Sequence, residues 1–264
     1  MKVAIIGGGV MGEAILAAAL ERGVFDAGDV TVCEKVPQRA DQLHGVYGVQ
    51  ATPSPELAMD AADLVVLSVK PQDMNTVHGA IKPDGLLLSI MAGVRIRSII
   101  NEFHHDRVIR VMPNTPVAAK AGMSVWTATP AVSAEQRELA RGLLCAIGRD
   151  IYVDDEKKLD MATAVSGSGP GYVFLFIEAL IEGGVAVGLT RAEASEMVLQ
   201  TVYGSAVYAQ ESGRHAAELR GLVTSPAGTT AAGLLELEKG AVRASIIEAV
   251  QAAHRRAVEL GGPA

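Results

Sequence analysis

The chain has 264 residues, of which 49% are hydrophobic and 4% aromatic, and its formal net charge is −7. This length and composition predict a globular protein of two domains with an aliphatic core. The acidic balance argues against a nucleic-acid partner. Two cysteines, Cys33 and Cys145, cannot build a disulfide framework and fit a reducing cytosol, so we expect a cytoplasmic protein.

The first strand is predicted at Val3–Ile6, an apolar run typical of a strand covered on both faces. Gly7, Gly9 and Gly12 follow with the spacing G-x-G-x-x-G, and a helix is predicted at residues 13–22. In this strand–turn–helix context Gly7 allows a tight turn, Gly9 lets a pyrophosphate approach, and Gly12 lets helix and strand pack closely. The motif predicts a dinucleotide site at a helix N-terminus, with a purely structural turn as the alternative.

A second strand is predicted at residues 30–34, and it ends in Glu34. An acid at this position accepts hydrogen bonds from ribose hydroxyls and repels a 2′-phosphate. Lys35 follows directly and would pair with that phosphate. We therefore expect both NADH and NADPH to be used; the alternative is that both side chains are solvated loop residues.

The next strands place further side chains at the cofactor edge. They are predicted at residues 50–51, 63–69, 85–90 and 107–112. Ligands of doubly wound sheets lie beyond the carboxyl ends of the strands, which places Lys70 beside a cofactor. Ala92 and Gly93 are small enough to let a flat ring come close. Asn114 is the only amide in a loop stiffened by two prolines, and we expect it near the nicotinamide; an Asx-type turn is the alternative.

The two halves of the chain differ in character. Strands at Gly122–Ala128 and residues 151–153, around a helix at 134–147, complete an α/β pattern. The acidic segment 154–156 marks a boundary, which predicts a dinucleotide-binding domain at 1–154 and an all-α domain at 155–264. The later helices are predicted at residues 191–211, 214–222, 229–239 and 241–260.

The second half begins with an unusually apolar helix. Residues 172–180 (YVFLFIEAL) carry one charge, Glu178, and a helix apolar on all sides must be covered on all sides. It is either the core helix of its own domain or is covered in part by a second subunit. We expect it to be too short and interrupted to span a membrane. Segment 166–171 (SGSGPG) is predicted to break the helix, with Ser168 as cap and Pro170 in the first turn.

Hydroxyl side chains cluster near the end of the chain. A turn at residues 224–228 opens a helix whose first residues are Thr229 and Thr230. Several N–H groups at such a helix start have no intrahelical partner, which makes a site of carboxylate size. A hydroxylated N-cap without ligand is the alternative.

Six segments together resemble the Δ1-pyrroline-5-carboxylate reductase family over nearly the whole chain. They are IIGGGVMGEAI, LSVKPQDM, MAGV, RVMPNTPV, TAVSGSGPGYVF and LVTSPAGTTAAGLLELE. The resemblance implies an N-terminal Rossmann domain, a C-terminal helical domain that interleaves with a partner's, and NAD(P)H-dependent reduction of 1-pyrroline-5-carboxylate to L-proline. The expected assembly is a homodimer or a dimer-based larger oligomer.

The resemblance also implies roles for individual residues. The predicted cofactor contacts are Gly7, Gly9, Val10, Met11, Gly12, Glu34, Lys35, Val69, Lys70, Pro71, Ala92, Gly93 and Asn114. Ser225, Gly228, Thr229 and Thr230 are expected to hold the substrate carboxylate and ring, with Ser225 and Thr230 as the catalytic hydroxyls and no metal.

Little acid–base chemistry is required of the protein, because a protonated imine already accepts hydride. Thr230 is the first candidate for proton donor and bound water the second. The histidines lie outside the motif segments and are predicted to be solvated; they are His44, His78, His104, His105, His215 and His254.

Three positions depart from the family pattern. Ala227 stands where a glycine is usual, and we expect its methyl to be tolerated only at negative φ. Pro55 replaces an Asn that commonly touches the adenosine ribose. Glu34-Lys35 replaces a more usual polar–basic pair.

Two other functions were weighed. A β-hydroxyacid dehydrogenase places a lysine on the helix after its glycine-rich turn, and the helix here reads YVFLFIEALIEGG, without lysine. A non-catalytic dinucleotide-sensing regulator would share the fold, but it would not need the substrate motif TSPAGTT.

Overall fold

The structure, a computed structural model, describes residues 1–262. An eight-stranded sheet dominates the N-terminal part, in the order β3-β2-β1-β4-β5-β6-β7-β8. The strands are β1 Val3–Ile6, β2 Val30–Cys33, β3 Gln50–Thr52, β4 Leu64–Leu67, β5 Leu86–Ser89, β6 Val108–Met112, β7 Gly122–Ala128 and β8 Gly148–Tyr152. Neighbouring strands are parallel except for β6 and β7, which are antiparallel. The predicted doubly wound α/β class is confirmed.

Helices cover both faces of this sheet. They are α1 Val10–Glu21, α2 Pro37–Tyr47, α3 Pro55–Met59, α4 Ile96–Phe103, α5 Ala134–Ala146 and α6 Lys157–Ala162. Alternate residues of a strand enter opposite cores, since Val3 and Ile5 join one apolar cluster while Ala4 and Ile6 join the other. Strands buried on both faces explain the continuous apolar runs of the sequence.

The chain divides into two compact units. The first comprises Met1–Ser168 together with the C-terminal residues from Ala253 onward, and the second comprises Gly169–Ala252. The second unit is helical, with α7 Gly169–Ala186, α8 Arg191–Ser212, α9 Ala216–Leu222, α10 Thr229–Lys239 and most of α11 Val242–Leu260. The predicted domain boundary after residue 154 stays a prediction, and the compact division falls later, after Ser168.

The predicted break is present as an interruption of the α-helix, because a π-helical turn and a bend at Ser168 separate α6 from α7, and Pro170 lies in the first turn of α7 as predicted. Helical structure continues from Lys157 to Ala186, and residues Thr163–Gly167 form a π-helical turn between α6 and α7. The Ser168 N–H donates to the Thr163 carbonyl, five residues back, at 2.7 Å. Ser168 has helical backbone angles and does not cap a new helix.

This continuous helix also corrects the expectation that the segment is too short for a membrane. By length and composition alone, Lys157–Ala186 is long and apolar enough to cross one, a test that core helices of soluble proteins also pass. Little of its most apolar part is buried within the chain. Phe174 and Leu175 are 61% and 68% exposed. The helix therefore carries an apolar surface that its own chain leaves open.

Candidate active site

Two glycines of the first loop are required by close packing. Gly7 has φ +105°, and a Cβ there would lie 2.8 Å from the Ser68 carbonyl oxygen. A Cβ on Gly12 would collide with the Gly7 carbonyl and lie 2.7 Å from the Ser68 hydroxyl. Helix α1 is thus packed tightly on the loop, as the spacing of the glycines predicts.

Gly9 is different, because a Cβ there would meet no atom within 4 Å. It is the N-cap of α1, and no side chain caps this helix. Helix α1 begins at Val10, earlier than predicted, so that Val10 and Met11 form its first turn. Open space beside Gly9 and uncapped N–H groups are what a pyrophosphate requires, so these residues fit a dinucleotide.

The end of β2 holds the glycine loop through its backbone. The Glu34 carboxylate accepts hydrogen bonds from the N–H groups of Gly8 at 3.2 Å and Val36 at 2.9 Å. Arg39 of α2 donates from Nε to the Gly8 carbonyl at 2.9 Å, and it also pairs with Glu13 of α1. The peptide groups of Gly8 are therefore held from both sides. Sequence reasoning missed Arg39, because no motif marks the helix residue that turns back onto the loop.

The lysines lie at the same edge of the sheet as the glycine loop. Lys35 Nζ donates to the Thr76 hydroxyl at 3.2 Å, in the 3₁₀ segment Pro71–Thr76 that follows β4. Lys70 is exposed at the N-terminus of that segment, with half-buried Val69 before it and exposed Pro71 after it. Two cations are thus available at the edge where a dinucleotide would lie.

The segment after β5 has a structural reason for its small residues. Gly93 has φ +75°, and a Cβ there would lie 3.3 Å from the Leu260 Cβ. Arg95 Nε, two residues on, donates to the Gly261 carbonyl at 3.3 Å. The end of the chain therefore packs on this segment, while Ala92 is exposed. Contact of Ala92 and Gly93 with the cofactor stays a prediction.

Asn114 joins three parts of the first unit. Its Oδ1 accepts from the Met123 N–H at 2.8 Å, and its Nδ2 donates to the Ser166 carbonyl at 3.1 Å. The amide therefore bonds β7 and the π-turn, and it does not close an Asx-type turn on its own loop. A cofactor contact from Asn114 stays a prediction.

The second glycine-containing loop opens α10. Gly228 is the N-cap, and no side chain caps the helix. The Gly228 N–H donates to the Ser225 carbonyl at 3.1 Å, and a Cβ on Gly228 would collide with the Ser225 hydroxyl. The Ser225 hydroxyl therefore lies beside the uncapped helix start. This arrangement differs from a hydroxylated N-cap, in which a Ser or Thr oxygen would accept from the first N–H groups.

The expectation that Ala227 needs negative φ is wrong. Ala227 adopts φ +58°, in the left-handed region. The turn between Ser225 and Gly228 imposes this conformation in spite of the methyl group. A non-glycine residue there costs roughly 1–2 kcal/mol.

Solvation was predicted for all six histidines, and this is wrong for His105. Its ring is buried, with Nε2 2.8 Å from the Gly85 carbonyl oxygen. Cys33, at the end of β2, is also buried, and burial raises the pKa of its thiol to about 11. Within residues 1–262, no cluster of three His, Cys, Asp or Glu side chains could hold a metal ion.

The doubly wound sheet and the glycine loop at the start of α1 define a dinucleotide-dependent oxidoreductase of the Rossmann class. Residues 156–260 match the family model described as pyrroline-5-carboxylate reductase dimerisation, and residues 2–93 match the model of coenzyme F420-dependent NADP oxidoreductases. The chain is 42% identical to the pyrroline-5-carboxylate reductase of Synechocystis sp., over 99% of this chain and 98% of the relative.

Solved structures of the same family are also similar to this chain. A pyrroline-5-carboxylate reductase from Coxiella burnetii has a TM-score of 0.89 and 34% identity, covering 99% of each chain. The Plasmodium falciparum pyrroline carboxylate reductase with NADP bound has a TM-score of 0.88 and 28% identity, covering 99% of this chain and 98% of that chain. The chain belongs to the pyrroline-5-carboxylate reductase family.

Family membership confirms the predicted activity. The protein is an NAD(P)H-dependent oxidoreductase that reduces 1-pyrroline-5-carboxylate to proline, and it self-associates through its helical part. The alternative hypotheses, a β-hydroxyacid dehydrogenase and a dinucleotide sensor, are not supported, because the match to reductases covers nearly the whole chain.

Proposed function

We propose that the loop at residues 224–230 binds the carboxylate of 1-pyrroline-5-carboxylate and so positions the ring that accepts hydride. The observation that carries this proposal is the uncapped start of α10 with the Ser225 hydroxyl beside Gly228. Backbone N–H groups without partners and a helix dipole favour an anion at this place.

The strength of the site comes from charge-assisted hydrogen bonds. The Ser225 hydroxyl and the N–H groups of Gly228, Thr229 and Thr230 are the donors we assign to the carboxylate, although the Gly228 N–H has first to leave the Ser225 carbonyl. Hydrogen bonds to a charged group contribute roughly 1.5–3 kcal/mol each. The neighbouring Thr224 hydroxyl donates to the Arg220 carbonyl and is occupied with the fold.

Thr230 is the residue we assign to the ring nitrogen. It lies one residue into α10, and it is half-buried while Thr229 is exposed. Its hydroxyl can donate a hydrogen bond where charge changes during reduction. When bound, the dinucleotide supplies the hydride. The residues of this chain bind and orient the substrate. Thr230 and a bound water are the two candidates for the donor that protonates the ring nitrogen.

For the cofactor, we assign the pyrophosphate to the start of α1 and the ribose edge to Glu34 and Lys35. Space beside Gly9 and the uncapped N–H groups of α1 support the first assignment. The Plasmodium relative holds NADP. Because Glu34 opposes a 2′-phosphate and Lys35 attracts one, we propose that both NADPH and NADH serve. We also propose a cytoplasmic location, consistent with two cysteines that form no disulfide.

Substitutions in α10 and its loop test the substrate assignment. Ser225→Ala should raise KM for 1-pyrroline-5-carboxylate roughly tenfold, since about 1.4 kcal/mol corresponds to a factor of ten, and kcat should fall less because backbone donors remain. Thr230→Val keeps the shape and removes the hydroxyl, so kcat and kcat/KM should fall together. Steady-state kinetics with each variant separates the two effects.

Thr201→Val, at a hydroxyl that donates to the Met197 carbonyl within α8, is the matched control and should leave both constants unchanged. Wild-type kcat in Thr230→Val would remove Thr230 as donor and leave bound water. Proline should slow amide exchange at residues 224–230. An unchanged exchange rate there would contradict carboxylate binding at this loop.

A further inference from the structure

Pro170 leaves a gap in the backbone hydrogen bonding next to the π-turn of the central helix. Pro170 has no N–H, so the Ser166 carbonyl four residues earlier cannot receive its normal helical hydrogen bond. A half-buried backbone carbonyl needs a replacement partner, either in the protein or in water. Asn114 Nδ2 supplies it at 3.1 Å. A side chain from the loop after β6 therefore completes the backbone bonding of a helix that Pro170 leaves incomplete.

The orientation of this amide is fixed by its other bond. Asn114 Oδ1 faces the Met123 N–H at 2.8 Å, while Nδ2 faces the Ser166 carbonyl. A flipped amide would place its oxygen against a carbonyl and its NH₂ against an N–H, losing both bonds. Asn114 is thus locked between the first residues of β7 and the π-turn.

Two further contacts hold the helix along β6. Arg110, 2% exposed, pairs with Glu156 at 2.7 Å and with Asp160 at 3.5 Å. A Cβ on Gly167 would lie 2.7 Å from the Met112 Cε, so the π-turn rests on the end of the strand. The carboxyl ends of parallel strands are where ligands of such sheets bind. The π-turn is therefore held at the edge that carries the glycine loop.

We propose that Asn114 is a positioning residue for the reduction, which acts by fixing the π-turn Thr163–Gly167 at the cofactor edge and does not itself bind the dinucleotide. This inference rests on the proposed function only in taking that edge as the cofactor site. π-turns recur at functional sites, and misplacement by about 1 Å can cost as much as 100-fold in rate.

A double-mutant cycle tests the mechanism, because Pro170→Ala restores the N–H that the Ser166 carbonyl lacks. Asn114→Ala alone should lower kcat about tenfold, with the dissociation constant for NADPH, measured by fluorescence without substrate, within about threefold of wild type. In the Pro170→Ala background the same substitution should lower kcat less than about threefold. Rescue of this kind arises only if Asn114 acts through Ser166.

Asn114→Asp is the second variant in the cycle, because it keeps the acceptor for the Met123 N–H and replaces the donor to Ser166 with a carboxylate oxygen. It decides the matter if Asn114→Ala does not fold. The controls are Asn101→Ala, at an exposed position of α4, and Pro130→Ala, in an exposed turn. Pro130→Ala should not restore the kcat that Asn114→Ala loses.

Equal losses of kcat for Asn114→Asp in the wild-type and the Pro170→Ala backgrounds would overturn the proposal. A rise of more than tenfold in the NADPH dissociation constant that Pro170→Ala does not reverse would make Asn114 a direct cofactor contact, which also overturns it. The substrate assignment is tested separately, since KM for 1-pyrroline-5-carboxylate should respond to Ser225→Ala and not to this cycle.

Discussion

The two units of this chain stand in opposite relation to solvent. In the first, the inner strands of the sheet are buried on both faces between two apolar clusters, and the edge strands β3 and β8 are more exposed. In the second, Gly169–Ala252, Ala194 is the only buried residue. Both units are helix-rich and apolar in composition, so composition alone does not reveal the difference. The first unit contains its own core, whereas the apolar side chains of the second unit are exposed in the single chain, as they would be at an obligate interface.

Each unit also has one glycine-containing loop at an uncapped helix start, and we propose that each loop binds an anion. In the first, Glu34 and Arg39 hold the Gly8 peptide groups from both sides, so the loop is organised before any ligand arrives. In the second, the loop before α10 contains a left-handed Ala227 and no side-chain cap. The first loop is therefore held by side chains of its own unit, whereas no side chain caps the helix that follows the second loop.

The strongest test of the comparison is a charge on the apolar helix. Leu175→Asp should abolish self-association and unfold the second unit, because a carboxylate in an apolar interface costs several kcal/mol. Leu57→Asp in the first unit is the matched control, since Leu57 is 70% and Leu175 68% exposed in the single chain. Sedimentation and thermal melting should separate the two variants. An assembled, stable Leu175→Asp protein would show that α7 needs no cover.

A smaller effect is expected within the glycine loop. Gly12→Ala should destabilise the first unit by about 1–3 kcal/mol, because its Cβ would strike backbone. Gly9→Ala meets open space, so its unfolding free energy should stay within about 0.5 kcal/mol of wild type while NADPH binding weakens. Urea melts and NADPH fluorescence measure the two quantities. Equal stability of both variants would contradict the packing role of Gly12.

Glu34 offers a still smaller effect on cofactor choice. Glu34→Ala should raise the ratio of kcat/KM for NADPH to that for NADH by about threefold to tenfold, or at most about 1.4 kcal/mol. The variant also leaves the Gly8 and Val36 N–H groups without their acceptor, so both rates should fall somewhat. Glu56→Ala, at an exposed position of α3, is the control. An unchanged ratio would mean that Glu34 serves the loop and does not face the ribose.

Ala227 gives the smallest expected effect. Ala227→Gly relieves about 1–2 kcal/mol of left-handed strain and costs about 0.4–1 kcal/mol through the unfolded chain, so the protein should gain about 0–1.6 kcal/mol. Ala241→Gly, at φ +53°, should behave alike. Ala232→Gly inside α10 should instead lose about 1 kcal/mol. A loss of stability in Ala227→Gly measured by thermal melting would contradict the strain.

Elements whose residues contact near neighbours in sequence could be predicted from local patterns. The bounds of β7 and α10 and the roles of Gly7 and Gly12 follow from apolar runs and glycine spacing. Several features depend on partners far along the chain, and no periodicity encodes them. Burial of His105 against the Gly85 carbonyl is one, and the bond from Asn114 to Ser166 is another.

The loop at residues 224–230 shows the same limit at short range. Its hydroxyls and helix start could be predicted from Thr229 and Thr230, but the position of the cap at Gly228 could not. The φ of Ala227 was predicted with the wrong sign, because residue preference was allowed to outweigh the geometry of a tight turn. The interruption before Pro170 could be predicted from its glycines and proline, but its π-helical form could not, because a π-turn leaves no mark in composition.

The open apolar surface of Lys157–Ala186 also bears on how the enzyme is made in a cell. A chain leaving the ribosome exposes this helix until it meets another copy, and in that interval it is prone to aggregation and a target for chaperones. Yield of active enzyme should therefore depend on how many chains are synthesised together. After assembly, stability depends on protein concentration, with each tenfold dilution opposing an association step by about 1.4 kcal/mol.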